Sequence, residues 1–386
     1  MSKEKENIFK RPGVQSFISS LVCIILGLLI AFIVLLIINP AGAFGSIMNV
    51  IKNFFWFKNP ASRLKYFGET LAKTVPLLMC ALAVLFSYKV GLFNIGTPGQ
   101  YCAGICAALY ASLTWHWGWF PCLLFAMVAG ALLASIVGVL KAYLNVNEVI
   151  SGIMLNWICL YFTNATLTPV KNPTGKDTLT IASVNKGGII PSLGLDKIFN
   201  DKYVTIAIPV AILVAVAIWI ILEKTKFGYE LRATGLNKNA AKYCGMMEKR
   251  NIIVTLVISG ALAGMGAGCY YLTDFEQWAV TSSTVPAMGF NGIAATFLGG
   301  LNPIGTIFSS YFITHITAGG AFVDLTKYSS QITDLISALI IYLCGFVLFF
   351  KFALNNWIRK RETKEISKVD GKVITTDAAK AEGGDK

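Results

Sequence analysis

The stretch that decides the fold of this chain reads VGLFNIGTPGQ, from Val90 to Gln100. Glycines, a proline and two amide side chains interrupt sequence there that is apolar on both sides. An irregular backbone exposes its polar groups, and each unsatisfied polar group in hydrocarbon costs several kcal/mol. A membrane tolerates such a break only where protein or a water-filled path surrounds it. The stretch therefore predicts a segment that lines a route through a membrane.

The composition is typical of a membrane protein with many spans. The 386-residue chain is 55% hydrophobic and 14% charged, whereas a soluble domain carries roughly a quarter charged residues. The net charge of +13 would favour nucleic acid as a partner of a soluble protein. Here the basic residues collect between apolar runs, as positive-inside orientation requires, so we expect no nucleic-acid binding. The nine scattered cysteines and two distant histidines predict neither a metal site nor a disulfide framework.

Seven apolar runs approach the ~20 residues that cross hydrocarbon, and three shorter runs, 100–114, 286–298 and 303–318, bring the expected number of membrane helices to about ten. The ten runs are 17–38, 68–88, 100–114, 120–140, 149–167, 203–222, 252–272, 286–298, 303–318 and 332–352. The first run is too long for the core of a signal peptide, so we expect a retained helix. An even count with the N-terminus inside places both basic clusters, 223–250 and the tail after 351, in the cytoplasm. The sequence thus predicts an all-α, multi-pass protein of the cell membrane with both termini in the cytoplasm.

A second stretch, MGFNGIA over 288–294, echoes VGLFNIG over 90–96. Interrupted segments at corresponding positions of two halves point to a central transport path, so we expect a backbone break at both. Neutral polar side chains lie at depth in and near these stretches. They have two open interpretations, hydrogen bonding between helices or contact with a polar solute.

The chemistry of catalysis and of proton coupling is missing from the sequence. No apolar run holds a mid-membrane Asp, Glu or Arg that could relay protons, which counts against a proton-driven carrier. No phosphate-binding loop, HExxH pair or GxSxG motif occurs. We therefore expect no catalytic residue and no cofactor in this chain. The energy for active transport would come from another polypeptide.

The segment from 228 to 246 is the second strong signal. Asn237 is predicted to N-cap a short helix over 238–244, and Gly245 to stop it. Such a helix between two spans is suited to dock a soluble partner. A solvated basic loop is the alternative interpretation.

Four blocks together resemble the permease subunits of bacterial ABC importers in the branched-chain amino acid, simple sugar and nucleoside group. They are 91–100, 147–156, 231–246 and 289–305, and the resemblance is greatest to the larger nucleoside permease. It implies a fold like that of the vitamin B12 importer. It also implies three partners besides membrane lipid: a second permease, a tandem ATP-binding subunit that holds ATP-Mg, and an extracellular substrate-binding lipoprotein. The chain departs from the family at Pro98, where relatives usually carry an acidic residue.

The two interrupted stretches and the polar side chains at depth predict a substrate path, the resemblance implies the contact with the ATPase, and the apolar runs predict the organisation of the chain. The expected substrate path contains Phe93, Asn94, Gln100, Asn156, Phe290 and Asn291. The expected contact with the ATPase contains Leu231, Arg232, Gly235, Leu236, Asn237, Ala240, Ala241 and Gly245. The predicted parts are a cytoplasmic N-terminus (1–16), a first helix with an external loop (17–67), a permease core (68–358) with its coupling loop (223–250), and a disordered tail (359–386).

The expected function is therefore an importer subunit for nucleosides that hydrolyses nothing itself. A simple sugar such as ribose is the close alternative solute. A secondary transporter and an intramembrane enzyme are more distant alternatives.

Overall fold

The computed structural model describes residues 12–324 and 326–356, and within them the fold is helical. Only two isolated β-bridges, Lys171 to Thr178 and Asp177 to Ala279, occur in this part of the chain. The α-helices are α1 (Pro12–Ile38), α2 (Pro40–Lys52), α3 (Pro60–Lys89), α4 (Thr97–Leu113), α5 (Trp119–Leu144), α6 (Glu148–Leu167), α7 (Ile181–Val184), α8 (Leu195–Phe199), α9 (Ala207–Lys224), α10 (Lys226–Leu236), α11 (Lys238–Tyr243), α12 (Glu248–Tyr271), α13 (Ala287–Leu298), α14 (Pro303–Gly319) and α15 (Ser330–Cys344). The predicted all-α class is confirmed.

Six of the described helices are long and apolar enough to cross a membrane. They are Ile18–Ile38, Pro60–Lys89, Trp119–Leu144, Glu148–Val170, Ala207–Lys224 and Glu248–Tyr271. The remaining predicted runs form the shorter helices α4, α13, α14 and α15. The last of these runs, 332–352, is interrupted by a turn at Gly345 and Phe346. Every predicted run therefore contains a helix, and the chain is a multi-pass membrane protein.

Three helices start with the same pair of residues, an asparagine followed by proline. In α2, α3 and α14 the asparagine is the N-cap, and its side chain accepts a hydrogen bond from the backbone N–H two residues on, at 3.2, 2.9 and 2.9 Å. Proline fits the first helical position because it has no N–H to leave unpaired. These pairs fix where each helix begins.

The centre of the bundle is formed by α3 and α12. Of the residues in the most apolar stretch of each helix, 89% are buried in α3 and 67% in α12. In α5, α6 and α9 the corresponding share is 33% or less. A helix that is apolar all round belongs in the interior or against lipid. The two central helices thus carry the core, and the outer helices present apolar side chains outward.

Close packing of α5 on α12 depends on small residues. A Cβ on Gly260 would lie 2.3 Å from the carbonyl oxygen of Gly130, and a Cβ on Gly264 would lie 2.2 Å from that of Ala126. Gly260, Gly264 and Gly268 form a stripe of small residues along α12 with a spacing of four. Such a stripe lets helix backbones approach closely in membranes. The sequence analysis did not identify this stripe, although the spacing is legible in the sequence.

The expected break at 288–294 is wrong. These residues lie inside α13, and the chain leaves the helix only at 299–302, where Gly300 and Leu301 have φ of 67° and 57°. The physical reason is that the glycines of α13 serve packing. A Cβ on Gly292 would lie 2.9 Å from the carbonyl carbon of Cys80 on α3.

Two segments between the long helices contain further structure. Residues 39–67, which include the expected external loop, contain α2, a 3₁₀ turn at Asn53–Trp56 and the start of α3. Residues 169–202 are largely irregular and contain the short helices α7 and α8. The predicted tail at 359–386 and residues 1–11 of the predicted N-terminus lie outside the described residues.

Candidate functional site

The first break is a true interruption of the helical backbone. Helix α3 ends at Lys89, residues 92–94 have no regular structure, and α4 begins at Thr97. Gly91 has φ of 75°, a conformation open to glycine at little cost, and its N–H donates to the carbonyl of Tyr88 at 3.0 Å. The glycine therefore ends α3 in the manner of a helix C-terminal cap.

A cluster of buried polar side chains holds the break against three helices. The Nδ2 of Asn94 donates to Oε1 of Gln100 at 2.9 Å and to Oγ of Ser259 at 2.7 Å. The Nε2 of Gln100 donates back to Oδ1 of Asn94 at 3.1 Å. The Oγ of Ser259 donates to the carbonyl of Ala83 at 2.7 Å. The cluster thus joins the break to α3, α4 and α12.

A second amide, that of Asn156 on α6, satisfies the backbone of the break directly. Its Oδ1 accepts from the N–H of Gly99 at 2.8 Å, and its Nδ2 donates to the carbonyl of Ile95 at 3.0 Å. Backbone groups freed by a broken helix need such partners in an apolar interior. A Cβ on Gly99 would lie 2.7 Å from Oδ1 of Asn156, so glycine is required for this approach.

The structure divides the six expected path residues into two groups. Asn94, Gln100 and Asn156 are at most 2% exposed, and their amides are engaged by the bonds above. Phe93 and Asn291 are half-buried, and Phe290 is 43% exposed. The three amides therefore stabilise the break, and contact of any of the six with a solute stays a prediction.

The two echoing stretches meet in the fold although only one of them is broken. A Cβ on Gly289 of α13 would lie 2.5 Å from the nitrogen of Pro98, at the start of α4. Pro98 thus offers its ring as a packing surface to α13. An acidic side chain at this position would instead bring a charge against the α13 backbone.

The predicted short helix of the 223–250 segment is confirmed. The Oδ1 of Asn237 accepts from the N–H groups of Asn239 and Ala240 at 3.0 and 3.1 Å, and α11 follows as Lys238–Tyr243. Gly245, with φ of 80°, turns the chain after the helix.

The eight residues expected to contact an ATPase differ in exposure, and only four of them are exposed. Leu231 and Ala241 are buried in the protein, and Arg232 and Gly235 are half-buried. The exposed members are Leu236, Asn237, Ala240 and Gly245. Leu236 is 90% exposed and Tyr243 of α11 is 93% exposed, so this surface presents large apolar side chains that the described chain does not cover.

The end of α10 packs directly on the first break. A Cβ on Gly235 would lie 2.5 Å from the carbonyl carbon of Val90, and a Cβ on Gly91 would lie 2.9 Å from the carbonyl oxygen of Gly235. Next to this contact, Nδ2 of Asn251 on α12 donates to Oγ1 of Thr234 at 2.8 Å. The segment that carries the exposed surface is therefore fastened to both the break and α12.

Sequence reasoning missed three contributors to this site: Ser259, Thr234 and Asn251. Thr234 lies inside the 228–246 block, Asn251 directly precedes the 252–272 run, and Ser259 lies within that run. Each has its partner outside its own helix, so the only signal was its position in or near these segments. Within 12–324 and 326–356, no group of three or more His, Cys, Asp or Glu side chains could hold a metal ion.

Comparison with known proteins gives a family match over most of the bundle. The family described as "Branched-chain amino acid transport system / permease component" matches residues 66–345. The guanosine ABC transporter permease protein NupP of Bacillus subtilis is 31% identical over 88% of this chain and 96% of its own length. The nucleoside ABC transporter permease protein NupB of Lactococcus lactis is 29% identical over 91% of this chain and 96% of its own length. NupQ of Bacillus subtilis, also a guanosine ABC transporter permease protein, is 33% identical over 63% of this chain and 77% of its own length. No solved structure matches the chain significantly.

The amide cluster makes a prediction about stability. Asn94→Ala leaves the buried amide of Gln100 without its partner and removes one of the two hydrogen bonds of Ser259. Leaving buried polar groups unpaired costs about 1–3 kcal/mol. The thermal midpoint of the purified protein in detergent should therefore fall. Asn291→Ala is the matched control because Asn291 is half-buried and outside the cluster, and it should shift stability by no more than about 0.5 kcal/mol. A wild-type midpoint for Asn94→Ala would contradict the assigned role.

Proposed function

Because this chain belongs to the family of permease components of branched-chain amino acid transport systems, we propose that it is the membrane subunit of an ATP-driven importer of nucleosides. A nucleoside as the solute is supported by the similarity to NupP and NupB, which extends over 96% of the length of each. The chain itself is not an enzyme, and a separate subunit hydrolyses ATP.

The short helices complete the membrane domain in this proposal. With α4, α13, α14 and α15 inside the bilayer the chain crosses about ten times, in a fold like that of the vitamin B12 importer. Both termini then lie in the cytoplasm of a bacterial cell. Helices too short to span are acceptable at membrane depth where protein surrounds them, and α4 is packed between other helices.

The solute path runs beside the first break and α13. The contact of Gly289 with Pro98 places α13 against the start of α4, so both elements border the same region. Phe290 is the most exposed of the six expected path residues. Its ring and the half-buried amide of Asn291 are available to a base and a sugar hydroxyl, while the buried amides keep the break in place.

Three partner proteins complete the transporter. A second permease is supported by the similarity of this chain to both NupP and NupQ, two permeases of one organism. A tandem ATP-binding subunit supplies ATP-Mg, and an extracellular lipoprotein delivers the solute, as in other importers of this family. The exposed surface of α10 and α11 is where the ATP-binding subunit docks.

The contact between Gly235 and Gly91 transmits motion of the docked ATPase to the path. Helix α10 cannot shift without displacing the break or losing van der Waals contact with it. The hydrogen bond between Asn251 and Thr234 ties the same helix to α12. Movement of α10 thus reaches the break directly through Gly91, and also through α12, whose Ser259 is hydrogen-bonded to Asn94 in the break.

A substitution at this contact should uncouple hydrolysis from transport. In Gly235→Ala the added methyl group meets the backbone of Val90 and forces the two segments apart. Small-to-large changes in tight packing cost about 1–3 kcal/mol, enough to alter geometry while the protein still folds. We expect solute uptake by the reconstituted transporter to fall at least about tenfold, with ATP hydrolysis retained.

The matched control for that experiment is Lys226→Ala on the same helix. The Lys226 side chain is 91% exposed and its ion pair with Glu230 is 4.0 Å long, so its removal should change little. Uptake and hydrolysis falling together in Gly235→Ala would show loss of assembly, and unchanged uptake would show that the contact does not transmit motion.

The solute assignment is tested by uptake of labelled uridine, guanosine and ribose in cells with and without this chain. We expect ATP-dependent nucleoside uptake to disappear with the chain while ribose uptake persists. Depletion of ATP is the control that separates an ABC importer from a secondary transporter. Loss of ribose uptake alone would move the protein to the sugar importers, and uptake that survives ATP depletion would reject the ABC mechanism.

A further inference from the structure

The segment from 39 to 58, here named the elbow, lies immediately after the first membrane span. Helix α1 ends at Ile38, and α2 begins at Pro40 with Asn39 as its N-cap. Only one residue separates the span from α2. The elbow therefore starts where the chain leaves the hydrocarbon, at the level of the lipid headgroups.

One side of the elbow is held firmly by α14 and the turn that follows it. The Nδ2 of Asn53 donates to the carbonyl of His315 at 2.9 Å, and Nδ2 of Asn49 donates to that of Phe322 at 3.2 Å. A Cβ on Gly319 would lie 2.1 Å from the carbonyl oxygen of Val50, so the two backbones touch. These contacts hold the elbow in a fixed position against α14 and the turn that follows it.

The elbow also carries exposed aromatic side chains. Phe44 is 70% exposed, Phe55 is 61% exposed, and Trp56, whose ring stacks on Phe322 with centroids 6.0 Å apart, is 52% exposed. Aromatic rings at this depth are typical of the boundary between hydrocarbon and headgroups, and an amphipathic helix there lies along the membrane plane. The exposed face of the elbow is therefore suited to contact lipid.

The elbow also carries positive charge, because it contains Lys52 and Lys58 and no Asp or Glu. The residues that follow it up to 67 add Arg63 and Lys65 and again no acidic residue. Arg63 donates from Nε to the carbonyl of Phe57, and Lys65 pairs with Glu69 at 3.9 Å. In the described part of the chain neither Lys52 nor Lys58 has an acidic partner within 4.0 Å.

These two lysines and three aromatic rings surround one surface cavity. It measures about 540 Å³ and is lined by Lys52, Phe55, Trp56, Phe57 and Lys58. The ring of Phe57 stacks on Tyr66 with centroids 4.3 Å apart, which fixes the cavity wall. A cavity lined by two lysines and by apolar rings combines the groups that bind a lipid phosphate with those that contact its acyl chains.

We propose that the elbow binds an anionic phospholipid, with Lys52 and Lys58 on the phosphate and the rings beside the glycerol and upper acyl chain. The continuity of the elbow with the span, its apolar rings and its charge favour lipid over a soluble partner. The lipid would fix the position of α2 and, through Asn53, of α14. The site does not depend on which solute the protein carries.

The proposal is tested by native mass spectrometry of the full-length protein with equal amounts of phosphatidylglycerol and phosphatidylcholine. We expect the wild-type protein to retain phosphatidylglycerol preferentially. Removing a lysine near a charged membrane surface weakens attraction about fivefold, so the double variant Lys52→Gln/Lys58→Gln should lose at least about fivefold of that preference. Lys52→Arg/Lys58→Arg should keep it.

The matched control is Lys176→Gln/Lys186→Gln, which removes the same charge from two exposed lysines of the 169–202 segment. Its lipid preference should equal that of the wild-type protein. Equal preference in the Lys52 and Lys58 variant, or no preference in the wild-type protein, would overturn the proposal. It would also be overturned if the variant kept its lipids and instead lost binding of the solute-binding lipoprotein, because the elbow would then be a protein-docking surface.

Discussion

An interrupted helix inside an apolar bundle must find partners for its freed backbone groups, and the rest of this structure depends on that constraint. The break after α3 leaves N–H and C=O groups with no partner in a regular helix. Asn156 supplies one acceptor and one donor to it from α6. The pair of Asn94 and Gln100 closes the other side against Ser259. Removing any of these amides would leave buried polar groups unpaired, at a free-energy cost comparable to that of a lost hydrogen bond.

The same constraint explains where glycine is required. Side-chain amides reach the backbone only if the helices that carry them come very close, and a Cβ at Gly99 would prevent the approach of Asn156. At the other end of the break, Gly235 likewise lets the backbone of α10 come close to that of Val90, where a Cβ would not fit. Helix α12, which packs on α5 through small residues, carries both Asn251 and Ser259 and so connects the α10 contact with the amide cluster. The break, α10 and α12 are thus connected to one another by close packing and hydrogen bonds.

Much of this architecture could be predicted from the sequence because it rests on local rules. Apolar length gave the helices, Asn237 and Gly245 gave the bounds of α11, and glycine with proline gave the break at 91–96. The resemblance of four blocks gave the family, which the match over residues 66–345 confirms. These features depend on residues close to one another in the chain. They do not require knowledge of which helices touch.

The remaining features depend on contacts between distant residues. Gly289 and Gly292 looked like a second break because glycine serves irregular backbone and close helix packing equally well, and only the neighbours distinguish the two uses. The role of Asn94 in holding the break was not visible in the sequence because its partner Ser259 is 165 residues away. Run length did separate the short helices α4, α13 and α14 from the six long ones, but it did not reveal the turn at Gly345 and Phe346 inside the run 332–352.

The most direct measurement of the central claim is amide hydrogen exchange of the protein in lipid nanodiscs, followed in the peptide that covers residues 90–100. The account predicts exchange as slow as that of buried α12, and faster exchange of this peptide in Asn156→Ala because Gly99 loses its acceptor. Exchange in the wild-type protein as fast as that of the irregular 169–202 segment would contradict it. An unchanged rate in Asn156→Ala would likewise show that the amide does not hold the break.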